Sequence, residues 1–219
     1  MNINTQTTAS KYKHNLNIPG WNGPEFLDVL GKYASMVEEN GAILELGALF
    51  GRSTYTIGHN KYDSVQLMTI DFWPTMPMHL MVPDGLSIGG SGEEHAALNA
   101  AISGEARILS GDSFFELWEQ FTDGIPNKTG IRGNVTTIPT DTFPMFDLIF
   151  HDAGHRYEDV YPDLTRWLPK LKSNGVILVD DYDQKNWPGV VQAVDQAVKE
   201  NDLITEMVTH RNILLKRKI

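Results

Sequence analysis

Asp152, Asp180 and Asp181 each follow a short apolar run, and His155 stands three residues after the first of them. The runs before these acids, within 146–150 and 175–179, read as buried parallel strands. Acids at the ends of neighbouring strands converge, and unpaired they repel and raise one another's pKa. A hard divalent cation such as Mg²⁺ relieves that repulsion with oxygen ligands and keeps waters that a substrate can displace. Asp152, Asp180 and Asp181 are therefore candidate metal ligands. The competing role for Asp152 and Asp181 is to cap the helices that follow them. His155 lies on the turn leaving the strand, placed to project over the same site. An imidazole's ordinary pKa suits proton abstraction near neutral pH, so His155 is a candidate general base. The alternative is a surface histidine at a helix start. His151 is expected to point into the sheet.

A second set of residues fits a ligand rather than a reaction. The stretch 42–53, A-I-L-E-L-G-A-L-F-G-R-S, reads as a buried strand, a glycine turn and a helix start. That arrangement places backbone N–H groups and a positive helix end beside polar ligand atoms. Glu45, Gly47, Gly51 and Ser53 are the candidates it supplies. Leu49 stands where a dinucleotide fingerprint has its middle glycine, so that fingerprint is not met. The next apolar run, 65–70, ends at Asp71, where an acid binds a ribose hydroxyl pair in nucleotide-type ligands. A third run, 106–109, is followed by Gly111-Asp112-Ser113, which could reach an adenine.

Alternating strands and helices must position these residues. Helical spacing is read over 24–39, 50–60, 93–103, 114–121, 157–171 (distorted at Pro162) and 188–200. Two strands, 203–209 and 212–217, end the chain. The pattern predicts one α/β domain over 21–219 after a loosely held arm, 1–20. Its sheet is Rossmann-like, doubly wound and seven-stranded, mostly parallel with an antiparallel C-terminal hairpin and helices on both faces. Residues 72–92, rich in Pro, Gly and Met, read as a loop over the site. Residues 122–144 read as an insertion with a hairpin around 131–138. Both insertions are expected over the substrate pocket.

Composition narrows the function. The 219 residues carry a formal net charge of −10, which argues against a nucleic-acid partner. No apolar run is long enough to span a membrane, and the N-terminus lacks a secretory apolar core. Cysteine is absent, which removes thiolate chemistry and agrees with a cytoplasmic setting. Assembly as a homo-oligomer is compatible with this composition.

The motifs taken together resemble a known family. I-L-E-L-G-A-L-F-G-R-S, T-I-D at 69–71, G-D-S at 111–113, F-H-D-A-G-H-R-Y-E at 150–158 and L-K-S-N-G-V-I-L-V-D-D-Y at 171–182 are similar to those of class I S-adenosylmethionine-dependent methyltransferases. Within that class the chain looks like the metal-dependent small-molecule O-methyltransferases, of the catechol and macrolide-sugar types. The resemblance implies S-adenosyl-L-methionine and Mg²⁺ (or another divalent cation) as cofactors. It implies that Glu45 and Gly47 approach the methionine part, Asp71 the ribose, and Asp112 and Ser113 the adenine. Asp152 would border cofactor and metal alike, Asp180 and Asp181 would complete the metal site, and His155 would be the base. Catechol-type enzymes usually use a lysine base and often an asparagine ligand, so His155 and the acid pair are more like the sugar-modifying branch. The implied acceptor is a hydroxyl of a small molecule, such as a sugar or polyhydroxylated compound. Other readings of the residues are a nicotinamide-dependent oxidoreductase, a non-catalytic nucleotide-binding module, and a methyltransferase whose acids are only structural.

Overall fold

Ala42–Leu46 is buried at every position and forms β1 at the centre of the sheet. A strand flanked on both sides has no solvent face, which is why this run is apolar throughout except for Glu45. In the computed structural model, residues 10–73 and 114–218 are described. In chain order they form α1 (Pro24–Ser35), β1, α2 (Arg52–Asn60), β2 (Gln66–Asp71), α3 (Phe114–Phe121), β3 (Lys128–Arg132), β4 (Phe146–His151), α4 (Tyr157–Trp167), β5 (Leu171–Val179), α5 (Pro188–Glu200), β6 (Leu203–Met207) and β7 (Ile213–Arg217). The strands make one seven-stranded sheet in the order β3-β2-β1-β4-β5-β7-β6. The β3, β2, β1, β4 and β5 neighbours pair in parallel, and β7 pairs antiparallel with β5 and β6. The Rossmann-like doubly wound class, with its antiparallel C-terminal hairpin, is what the residue pattern predicted.

Helices cover both faces. One core joins α4 and α5 to the sheet through Ile149, Leu164, Trp167, Ile177, Val179 and Val194. The other packs α1 and α2 on the opposite face through Phe26, Leu30, Ile43, Ile57 and Phe150. Pro24 opens α1, with Leu27, Leu30 and Ala34 buried at helical spacing. The helix stops at Ser35 rather than near 39, because the chain turns through a left-handed Asn40 to enter β1. No helix among the described residues is long and apolar enough to cross a membrane.

Two expectations need correction. The edge position beside β2 is taken by Lys128–Arg132, in register from Leu67↔Lys128 to Asp71↔Arg132. This segment lies inside the stretch read as an insertion with a hairpin. Ile131 belongs to a parallel strand, and Ile138 closes a turn on the Asn134 carbonyl at 2.9 Å. K-T-G-I-R carries no apolar run, because an edge strand has one paired side and wet positions. The 106–109 strand and the 93–103 helix lie outside the described residues, as does nearly all of the 72–92 loop.

The second correction concerns the arm. Arg52 of α2 donates to the carbonyls of Ile18 (2.6 Å), Asn22 (3.1 Å) and Leu16 (3.2 Å). Ile18 is buried in a third cluster with Phe50, Trp73, Leu117 and Trp118. Residues 16–22 are therefore part of the packed domain rather than loosely held.

The strand order reverses between β1 and β4, the switch point where open α/β sheets bind ligands. Register makes the strand ends level there, with Leu46 opposite His151 and His151 opposite Val179. Gly47, Asp152 and Asp180 consequently leave the sheet side by side. Gly47 has φ +87°, and a Cβ on it would stand 2.0 Å from the Asp152 carbonyl oxygen. Gly124 also has a positive φ, +73°, but open space around it. Gly47→Ala is expected to cost about 2–4 kcal/mol, strain plus a backbone clash. Gly124→Ala should cost about 1 kcal/mol, strain alone. Urea midpoints at unchanged slope measure both, and equal costs would show that the close approach to Asp152 is not what requires glycine.

Candidate active site

A cavity of about 430 Å³ opens over the ends of β1, β2, β4 and β5. Its floor on one side is the glycine turn. Asp71 Oδ2 accepts from the Ala48 and Leu49 N–H groups at 2.7 and 2.9 Å, and Oδ1 accepts from Trp73 N–H at 2.8 Å. Three backbone donors hold this carboxylate on the cavity wall. Leu49, in the place of a middle glycine, takes the left-handed conformation itself at φ 50°. Ser53, in the first turn of α2, also lines the cavity. Gly51 does not; its α-carbon faces Trp118 and Thr122, which leave no room for a side chain.

Glu45 is turned away from this cavity. It is fully buried, and its Oε2 accepts from Thr54 (2.6 Å) and Thr69 (2.8 Å), tying α2 and β2 to β1. Oε1 is buried with no hydrogen-bond partner among the described residues. Burial pushes its pKa up to about 7, opposed by the hydroxyl hydrogen bonds and helped slightly by Asp71. The expected contact of its side chain with a ligand's methionine part is not what the geometry shows. The reason is that the Thr54 and Thr69 hydroxyls hold the carboxylate between α2 and β2, short of the strand end.

On the other side, Asp152, Asp180, Asp181 and His155 come together as their strand ends require. Asn22 donates to Asp152 Oδ2 (3.2 Å) and Asp180 Oδ2 (2.7 Å). Asp180 Oδ1 accepts from Asn212 and from the Asp181 N–H. Asp181 Oδ2 lies 2.8 Å from His155 Nε2, and Arg211 Nη2 stands 3.4 Å from Oδ1. His155 stacks on Trp187 with ring centres 4.2 Å apart. Burial, then repulsion from Asp180 and Asp181, holds Asp152 well above its ordinary range. Burial and then Asp181 raise Asp180 to about 6, while Arg211 pulls the other way.

These groups fit a divalent cation. Ligand atoms of Asp152, His155 and Asp181 lie within 4.8 Å of one another. Asp181 Oδ1 is buried with no hydrogen-bond partner among the described residues, the Arg211 guanidinium standing 3.4 Å away. Asp180 stands in the same cluster, but amide donors already occupy its oxygens. Neither aspartate caps a helix by its side chain, since α4 begins after Arg156 and α5 after Trp187 with no side-chain cap. Asp112 and Ser113 lie outside the described residues. The loop that leaves the observed third strand, Gly133 to Thr136, lines the cavity.

Sequence reasoning missed Asn22 and Arg211. Asn22 lies just before α1, and Arg211 sits in the β6–β7 turn, whose carbonyl accepts from Tyr182 N–H at 2.8 Å. Neither belongs to a strand-end motif, so only folding reveals them.

A family model described as a methyltransferase domain matches residues 44–182. No curated protein matches the chain by sequence. Solved structures share the fold. The O-methyltransferase NovP is 19% identical with a TM-score of 0.62, over 90% of this chain and 81% of its own. The methyltransferase PaMTH1 of Podospora anserina, solved with S-adenosylhomocysteine, is 17% identical with a TM-score of 0.55, over 91% and 80%. CalS11, described as a TDP-rhamnose 3′-O-methyltransferase, is 17% identical with a TM-score of 0.52, over 87% and 76%.

Glu45 generates a pH prediction. Its folded pKa lies above the unfolded value, so the folded state holds the extra proton between about pH 4.5 and 7. Stability from this group falls as pH rises through that window and stays low above it. Glu45→Gln keeps the acceptor for both threonines without the charge. At pH 8 it should exceed the parent by on the order of 3 kcal/mol, and at pH 4 the two should match. Thermal melts across that range test it; a variant less stable than the parent at pH 8 would contradict the assignment.

Proposed function

The chain belongs to the methyltransferase domain family and is an S-adenosylmethionine-dependent methyltransferase, and we propose that it methylates a hydroxyl of a small molecule with a divalent cation at the acid cluster. The observation that carries this reading is the meeting of Asp152, Asp181 and His155 beside a cavity floored by Gly47 and Asp71. The likeness to the O-methyltransferases NovP and CalS11 supports the same acceptor atom, and the TDP-rhamnose named for CalS11 points to sugar-like compounds.

The residues divide the work. Asp71 takes the ribose hydroxyls while its backbone donors keep it in place. The first turn of α2, with Ser53, faces the methionine end. S-adenosylmethionine supplies a methyl on a cationic sulfur that leaves as a neutral thioether, so no covalent enzyme intermediate is needed. Asp152 and Asp181 would hold the cation with His155 or Asp180 completing the set, and the ion would lower the pKa of a hydroxyl brought beside it. His155 takes the proton from that hydroxyl on the ring nitrogen that does not carry the hydrogen facing Asp181 Oδ2, with Asp181 and Trp187 fixing the ring. Trp21 and Trp187 line the same cavity and offer apolar faces to the acceptor. Alignment of the oxygen with the methyl carbon supplies much of the rate.

The position of His155 among the ion-ligating atoms favours a second role for it, as a ligand. His155→Ala separates the two. As a base, its loss lowers kcat about 10²–10⁴-fold with Mn²⁺ affinity nearly unchanged. As a ligand, its loss weakens Mn²⁺ binding at least tenfold by calorimetry. Full turnover with unchanged Mn²⁺ affinity would remove both roles.

For the donor site, Asp71→Ala is expected to weaken S-adenosylhomocysteine by roughly 1.5–3 kcal/mol, the loss of charge-assisted hydrogen bonds. Calorimetry showing tight NAD binding and no response to S-adenosylhomocysteine would end the methyltransferase reading.

A further inference from the structure

The proposed reaction leaves one buried pair unused. Asp163 is 1% exposed and His151 is 2% exposed. His151 ends β4 and meets Asp163 on α4, with Nε2 3.1 Å from Asp163 Oδ2. This contact satisfies one carboxylate oxygen and sets the rotation of the group. The other, Oδ1, is buried with no hydrogen-bond partner among the described residues. Asp163 nevertheless lines the cavity. A carboxylate oxygen out of water and without a donor bears its full desolvation cost. A bound molecule that brings an N–H or O–H to it removes that cost.

The packing of α4 says which end of the cavity this is. Trp167 Nε1 donates to the Val135 carbonyl at 3.3 Å, and Arg166 Nε to the Ile138 carbonyl at 3.1 Å. Asp163 stands one helical turn before Trp167, so it borders the loop that leaves β3. That loop begins against Asp71, where Gly133 N–H donates to the Asp71 carbonyl at 2.9 Å. A nucleoside whose ribose reaches Asp71 therefore sends its base toward Gly133–Thr136 and Asp163. Adenine offers one strong donor, its exocyclic amine; its ring nitrogens only accept. The cavity-lining part of the loop, Gly133 to Thr136, has no acid to meet that amine, and Asn134 Oδ1 already accepts from Thr136 N–H at 2.8 Å.

We propose that Asp163, oriented by His151, accepts a hydrogen bond from the adenine amine of the methyl donor and selects adenine over a base with a carbonyl there. Asp163 is then a binding residue, and His151 is the positioning residue behind it. The proposal rests on S-adenosylmethionine being the donor.

The test is calorimetry of the full chain with S-adenosylhomocysteine and its deaminated analogue, S-inosylhomocysteine. The parent protein should prefer the adenosyl compound at least about tenfold. Asp163→Asn, checked for folding by circular dichroism, should weaken S-adenosylhomocysteine roughly 10–100-fold. It should leave the inosyl compound unchanged or tighter, because an amide can donate to the inosine carbonyl. Equal weakening of both ligands, or of neither, would overturn the assignment. If the variant does not fold, equal affinity of the parent for both compounds overturns it, and a clear adenosyl preference supports it. Binding of neither compound by the parent would instead bring down the donor reading, and this inference with it.

Discussion

The turn after β1 passes so close to the backbone after β4 that no side chain fits between them. Gly47 occupies that gap, with its N–H bonded to Ile70 of β2 and its α-carbon against the Asp152 carbonyl. Three parallel strands are thereby locked at one height. The donor-binding turn and the acid cluster are kept side by side on rigid elements rather than on separate loops. A methyl transfer with no covalent intermediate depends on such placement, because its rate comes from aligning two bound molecules.

The second constraint is electrostatic. Six aspartates and two arginines line the cavity among the described residues. One of those arginines, Arg52, spends its guanidinium on the carbonyls of the arm. The balance is therefore strongly negative, and the fold compensates locally. Asn22 bridges Asp152 and Asp180, Asn212 holds Asp180, and Arg211 approaches Asp181. These donors come from the chain's first described loop and from its last hairpin, so the cluster exists only when both ends of the domain are folded over it. They oppose the repulsion, while burial first and the neighbouring carboxylates second still hold Asp152 and Asp180 above the usual carboxylate range. A site that stays partly uncompensated in this way is suited to a cation.

Among the described residues, buried carboxylates with one oxygen that accepts no hydrogen bond occur in three places, and they have different meanings. Glu45 lies behind the turn, away from the cavity, and its two threonine contacts make it a joint between β1, α2 and β2. Asp181 faces the acid cluster, and Asp163 lines the cavity under the β3 loop. Exposure to the cavity, not burial or charge, separates the structural acid from the two that can meet a ligand.

The sequence by itself determined the central strands, the helices between them and the level at which the acids leave the sheet. Those features are local: apolar runs with a period of their own, bounded by glycine and aspartate, behave alike in any α/β context. It determined Asp71, Asp152, Asp181 and His155 as cavity residues for the same reason, since a residue just past a parallel strand has one place to go. Only the tertiary structure decided the direction of Glu45, which sits in the apolar run and yet turns from the cavity. Only it assigned the third strand to Lys128–Arg132, an edge segment held by pairing with β2 rather than by apolar content. Asn22, Arg211 and the His151–Asp163 pair likewise became visible through contacts between segments far apart in the chain. Such contacts leave no period in a sequence, because each needs only one residue of the right type at a distance that folding alone sets.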